Sequence, residues 1–315
     1  MTVYSKAATT TFERRYGLPS TASATISLCY NAAGVVGLIF TGIYGNRMHK
    51  PKALGVGGIL VAIGAFVAVL PQFLSEPYKQ NKSENNAEWS LLCKGNDTIN
   101  TCNESTGSVS SWFFVLLIGE VIMGLGFSGF MTLGMSYLHD SVTPEKRGFY
   151  QGILLTIFIG GPLMAFGFIL PSVSMLYVDF YRSDITMDRH DPEWVGAWWL
   201  GYIISGTMVL LISIPMFSFP RHPEGFDVEP EPETKTDFRL AYKMARTIFT
   251  CMVPTILIIN HAIASIPTSA LTTYGGKYLE RQFGLSAHAS AAYYGMVTIL
   301  ASMFGTFFGG WLHKR

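Results

Sequence analysis

The chain has 315 residues, 49% apolar and 14% aromatic, and its 22 basic and 21 acidic residues make up 14% of the sequence, against about 25% in soluble domains. A formal charge of +1 without a basic run argues against nucleic acid as a partner, and this apolar content with four cysteines excludes a disordered chain or a disulfide scaffold. Windows 22–45, 53–74, 111–138, 149–173, 195–219, 248–273 and 288–312 hold a single charged residue, Glu120. Each is long enough to cross a bilayer, which takes about 20 mostly apolar residues, so the expected fold class is an all-α, multi-pass membrane protein.

In chain order, the residues before Gly17 contain no signal-peptide core, and Lys6, Glu13, Arg14 and Arg15 interrupt any complete span. The spans 22–45 and 53–74 follow, then a polar loop over 75–110 with acceptor patterns at Asn81, Asn96 and Asn103. Glycosylation there places the loop outside, in an oxidising compartment where Cys93 and Cys102 are expected to form a disulfide. Cys29 and Cys251 fall in or beside apolar runs and read as small core residues. Alternation puts 46–52, 139–148 and 220–247 inside, and 174–194 and 275–287 outside. Lys and Arg are more numerous on the inner loops, as the positive-inside rule expects.

Phe12-Glu13-Arg14-Arg15-Tyr16-Gly17-Leu18 is echoed by Leu279-Glu280-Arg281-Gln282-Phe283-Gly284-Leu285. An apolar span follows each copy, ending in Gly45-Asn46-Arg47-Met48-His49-Lys50 and in Gly309-Gly310-Trp311-Leu312-His313-Lys314. A parallel repeat of this kind is expected of a transporter built from two six-helix halves. On that reading 1–219 is the first half, from the tail of a first helix to a sixth, with the glycosylated loop inside it. Residues 220–246 are a cytoplasmic linker, in which the acidic segment 224–237, with Pro230 and Pro232, reads as a solvated connector, and 247–315 begin the second half with its helices 7 and 8. The expectation is a fragment or truncated isoform with about seven complete spans.

Gly42, Gly45, Asn46 and Arg47, with Lys50 and Lys52, resemble the loop between helices 2 and 3 of the major facilitator superfamily, which latches the two halves on the inner side. The two glycines permit close backbone approach, and Asn46 and Arg47 can bond helix-terminal carbonyls; the plain alternative is a set of positive anchors. A more specific run stands at the edge of span 195–219: Asp191-Pro192-Glu193-Trp194-Val195-Gly196-Ala197-Trp198-Trp199-Leu200-Gly201-Tyr202. Asp191, Trp194, Gly196, Ala197, Trp198, Trp199 and Gly201 match the signature of the organic anion transporting polypeptides, which the run resembles, with Glu193 in place of an Arg and Tyr202 in place of a Phe. Its plain reading is an interfacial aromatic belt.

The resemblance covers essentially the whole chain. It implies a twelve-helix bundle around a central cavity in the plasma membrane. It also implies sodium-independent, alternating-access transport of amphipathic organic anions such as conjugated steroids, bile salts, prostanoids and thyroid hormones, in exchange for an anion such as bicarbonate. Besides membrane lipid and these solutes it implies no partner, no metal and no cofactor, and the residues form no enzyme constellation.

Candidate cavity residues follow. Glu120 is an intramembrane carboxyl, functional by default because burying it unpaired costs several kcal/mol, or a structural group bonded between helices. Lys6 stands where the family has a lysine, or is a solvated helix-end residue. Met123 replaces an Arg found in many relatives, which leaves the counter-ion for an anionic substrate unassigned. Asn260 and His261 lie between Pro254 and Pro267, to line the cavity or bond between helices, and a titrating His261 would couple uptake to pH. Tyr30, Phe166 and Tyr274 could stack on an aromatic substrate or pack helices. Gln72 replaces a histidine associated in many relatives with pH dependence, and glutamine does not titrate. Competing readings are a seven-span receptor, which the repeat disfavours, and a non-transporting product that associates with a full-length partner.

Overall fold

The structure is a computed structural model that describes residues 9–16, 18–45, 47–75, 111–143, 146–148, 150–154, 157, 176–179, 195–221, 238–285, 289–290, 292–298, 301 and 304–305. The main elements are α1 (Thr9–Tyr16), α2 (Ser20–Tyr44), α3 (Lys50–Leu74), α4 (Ser111–Asp140) and α5 (Trp198–Ser213), the last continued by a 3-10 turn over Pro215–Ser218. Then come α6 (Phe238–Thr250) and α7 (Met252–Phe283). Among the described residues there is no strand, only an isolated antiparallel bridge between Tyr177 and Gly196. Among the described residues five helices are long and apolar enough to cross a membrane: α2, α3, α4, Trp198–Ser218 and Met252–Leu271 of α7. They coincide with the apolar windows because in hydrocarbon a chain must satisfy its own backbone polar groups.

α4 is the centre of the bundle, packed against α2 and α3, and α3 also packs against α5. Small residues permit this. A Cβ on Gly57 would lie 2.6 Å from the Gly126 carbonyl oxygen, and one on Gly64 would lie 2.7 Å from that of Gly119. The same register recurs on both antiparallel helices, so their backbones touch at two levels. Gly45 is likewise tight, a Cβ there meeting Leu133 Cδ2 at 2.8 Å. Gly42 is not: nothing lies within 4 Å of its Cβ position. Gly45 thus meets a side chain of α4 and not its backbone, and Gly42 meets nothing.

The helices after residue 237 depart from expectation in two places. Residues 275–283, read as loop, continue α7, because Gly275 and Gly276 stay helical and the chain stops only where Gly284 adopts φ 64°. That left-handed stop favours glycine. In each repeat copy the helix thus ends at the aromatic before the glycine, Tyr16 and Phe283. Within the stretch 220–246, α6 begins at Phe238, just after the acidic segment 224–237, and runs past residue 246; the segment 224–237 itself lies outside the described residues. Cys251, read as core, is exposed in the extended turn between α6 and α7, and Thr255 Oγ1 helps to hold that turn by donating to the Cys251 carbonyl at 2.8 Å, with the carbonyls of Ile248 and Phe249 as alternative acceptors for its one proton. Cys29 is half-buried.

Candidate substrate site

The residues nearest the loop that carries the acceptor asparagines, here the sequon end, form a closed cap. Phe12 of α1 is buried edge-on against Trp198, with centroids 4.9 Å apart, and Tyr16 reaches the same ring at 6.3 Å. Burial raises the pKa of the Tyr16 hydroxyl, which Arg15 opposes. Arg15 also donates to Ser75 Oγ at the end of α3. Trp198 is 1% exposed and Trp199 7%, so these two rings are core and not an interfacial belt. Gly196 and Ala197 sit in a short two-stranded contact in which Val178 N–H donates to Val195 and Ala197 N–H to Leu176, while Trp199 Nε1 donates to the Val178 carbonyl. Gly201 is buried one turn on.

Two polar links hold the cap. Gln72 Nε2 donates to Asp179 Oδ1 at 2.8 Å, both residues buried. Lys277 of α7 pairs with Glu13 at 2.6 Å and donates to Ser20 Oγ at 2.7 Å, and Glu13 accepts from Ser23 Oγ at 2.7 Å. Sequence reasoning named neither Asp179 nor Lys277 as a site residue. The position of Lys277 two residues before the repeated Leu-Glu-Arg segment was the available signal.

Below the cap, Tyr202 donates its hydroxyl to Glu120 Oε1 at 3.0 Å, joining α5 to α4, and Glu120 is 2% exposed. A cavity of about 230 Å³ opens further along the bundle, lined by Tyr30, Leu54, Val61, Met123, Phe127, Phe130, Val209, Ile212, Ser213 and Met216. Its walls are apolar and aromatic, so it can hold a ring system or alkyl chain and offers no counter-charge. Of the expected cavity residues, Tyr30 lines it. Glu120 does not line it and accepts from Tyr202 instead. Asn260 and His261 are exposed on α7 and are not brought to it. Tyr274 is exposed on α7 as well. Lys6 and Phe166 lie outside the described residues.

At the opposite end, Lys50 pairs with Asp140 at 2.5 Å and donates to Ser136 Oγ at 2.8 Å, tying α3 to α4. The exposed Arg47 enters through its carbonyl, which accepts from Arg221 at 3.3 Å. Tyr137 donates to the Pro220 carbonyl at 3.3 Å. The described contacts of the latch segment thus run to α4 and to the start of the linker. Asn46, Asp191 and Trp194 lie outside the described residues, as do Asn81, Asn96, Asn103, Cys93 and Cys102. Among the described residues no cluster could hold a metal ion.

The family model of the Organic Anion Transporter Polypeptide (OATP) family matches residues 1–315. The chain is similar to human solute carrier organic anion transporter family member 1C1, 30% identical over 99% of this chain and 50% of the relative. It is similar to member 4C1 of Pongo abelii, 30% identical over 97% and 43%, and to mouse member 2B1, 30% identical over 99% and 53%. The chain spans about half the length of the curated relatives it matches.

Proposed function

This chain belongs to the Organic Anion Transporter Polypeptide family, a family of transporters and not of enzymes, and on that premise we propose that it serves sodium-independent passage of amphipathic organic anions across the plasma membrane. The observation that carries this reading is the apolar, aromatic cavity at Tyr30, Met123 and Phe127. It fits the hydrophobic body of a conjugated steroid, bile salt, prostanoid or thyroid hormone. At about 230 Å³ it is smaller than a typical drug-sized pocket of about 300–1,000 Å³, so it holds part of such a solute, and the anionic group lies outside it. Exchange for an anion such as bicarbonate completes the charge balance.

Alternating access gains support from the Glu13–Lys277 pair, which joins the first repeat copy in α1 to α7 two residues before the second copy. Opening toward the sequon end must break it. The loop 75–110 then faces outward, and its sequons and cysteine pair are glycosylated and disulfide-bonded. Uptake of labelled estrone sulfate and taurocholate tests the reading, with surface-biotinylated cells expressing the 315-residue chain or a transcript-extended form. Uptake above mock-transfected cells that falls in Tyr30→Ala is the expected result, and no uptake by either form at equal surface density overturns it.

A second reading has its own observation. The membrane-crossing stretch Met252–Leu271 of α7 is wholly unburied among the described residues. A spanning helix with polar residues such as Asn260 and His261 packs on other helices, so this reading has α7 dock on a full-length partner without transport by the 315-residue chain. Co-purification with a full-length relative in the absence of uptake distinguishes it.

A further inference from the structure

Apart from the Tyr30 cavity, a groove of about 630 Å³ lies between α2, α3 and α4 toward the basic-loop end. Its walls are apolar, with Val36, Phe40, Val56, Leu60 and Leu125 among them, and these five are exposed. They belong to membrane-crossing helices, so the groove is reached from the hydrocarbon. One end is different. There His49 and Lys52 line it, where α3 begins.

The two polar groups at that end are uncommitted among the described residues. Lys50, two positions away, is used by Asp140 and Ser136, whereas Lys52 is exposed and in no ion pair. The Nδ1 of His49 is buried without a hydrogen-bond partner, a state that costs free energy until a donor or acceptor arrives. The arrangement is an apolar trough with a cation at headgroup depth. From Lys52 to Leu60 it runs about 12 Å along the α3 axis, at 1.5 Å per residue.

We propose that this groove is a binding site for an anionic phospholipid, with an acyl chain along Val36, Val56 and Leu60 and the headgroup phosphate at Lys52, beside His49. The single charge at one end matches an amphiphile in register with the bilayer, and basic pockets between spanning helices are suited to acidic headgroups. The site differs from the Tyr30 cavity and is independent of which solute the protein carries.

Native mass spectrometry of the delipidated 315-residue chain tests the proposal, titrated with phosphatidylserine, phosphatidylcholine or inorganic phosphate. Phosphatidylserine should be retained about fivefold better than phosphatidylcholine, the preference one lysine supplies at a membrane surface. Lys52→Gln should abolish that preference and Lys52→Arg keep it, while Val56→Trp, which fills the trough from an exposed position, should lower retention of both lipids. Melting midpoints matching the parent confirm that the variants fold. Equal retention of the two lipids by the parent overturns the proposal, as does a preference that survives Lys52→Gln. So does full displacement of phosphatidylserine by phosphate, which would mark a headgroup site without a chain groove.

Discussion

The Glu13 carboxylate and the Lys277 ammonium lie 2.6 Å apart although their residues are 264 positions apart in sequence. Both side chains are mostly buried, and the carboxylate is further held by Ser23, so the contact lies between an exposed pair, worth about 0–1 kcal/mol, and a fully buried one. Paired cysteines in place of Glu13 and Lys277 should cross-link in membranes. Lys277→Glu should reduce uptake, and the swap Glu13→Lys/Lys277→Glu should recover part of it. A swap no better than the single variant would show that the attraction itself is not what matters.

The Tyr202–Glu120 hydrogen bond predicts a different pattern. Tyr202→Phe removes one donor from a buried carboxyl and should lower stability by about 1–3 kcal/mol, read as a drop in melting midpoint in detergent. Glu120→Gln preserves an acceptor for Tyr202 and should be milder than Glu120→Ala, which also leaves a void. Uptake loss without a stability change in Glu120→Gln would instead assign the carboxyl a direct transport role.

The boundaries of α2, α3, α4 and α5 were legible because crossing a bilayer imposes a length and an apolar composition that few other structures share. Lys277, Glu280 and Arg281 misled in the opposite direction: charge after an apolar run reads as loop, yet the helix persists until Gly284 turns left-handed. α6 was hidden because Lys243 and Arg246 beside an acidic segment resemble a solvated linker. Asp179 could not be singled out, since its value depends on meeting Gln72, 107 residues away. Trp198 was legible as a motif residue, whereas its role as the surface on which Phe12 packs required the fold.

Gln72 and Asp179 give a prediction about acidity. The glutamine that donates to Asp179 does not titrate, so wild-type uptake should show no histidine-like step from this position. Gln72→His places an imidazole, ordinarily titrating near pH ~6.5, beside the same carboxylate. Acidification then converts a neutral contact into an ion pair, so the added stability is present at low pH and lost as pH rises through the histidine range. Melting midpoints measured across that range check the sign, and a flat profile in Gln72→His would show that the two side chains do not meet.

The α3/α4 crossing predicts which glycines tolerate a side chain. At Gly57 and Gly64 a Cβ would press on the carbonyl oxygens of Gly126 and Gly119, backbone atoms that cannot rotate away. Gly57→Val or Gly64→Val must therefore push the helices apart, at a cost of about 1–3 kcal/mol or more for overpacking. At Gly42 the Cβ position is empty and the backbone is helical. Gly42→Ala should thus be neutral or stabilising by up to about 1 kcal/mol through helix propensity alone. Detergent melting curves of the three variants separate these cases. If Gly42→Ala proves as damaging as Gly57→Val, the glycine at the end of α2 is needed for a contact outside this bundle, which is the role a latch between two halves would have.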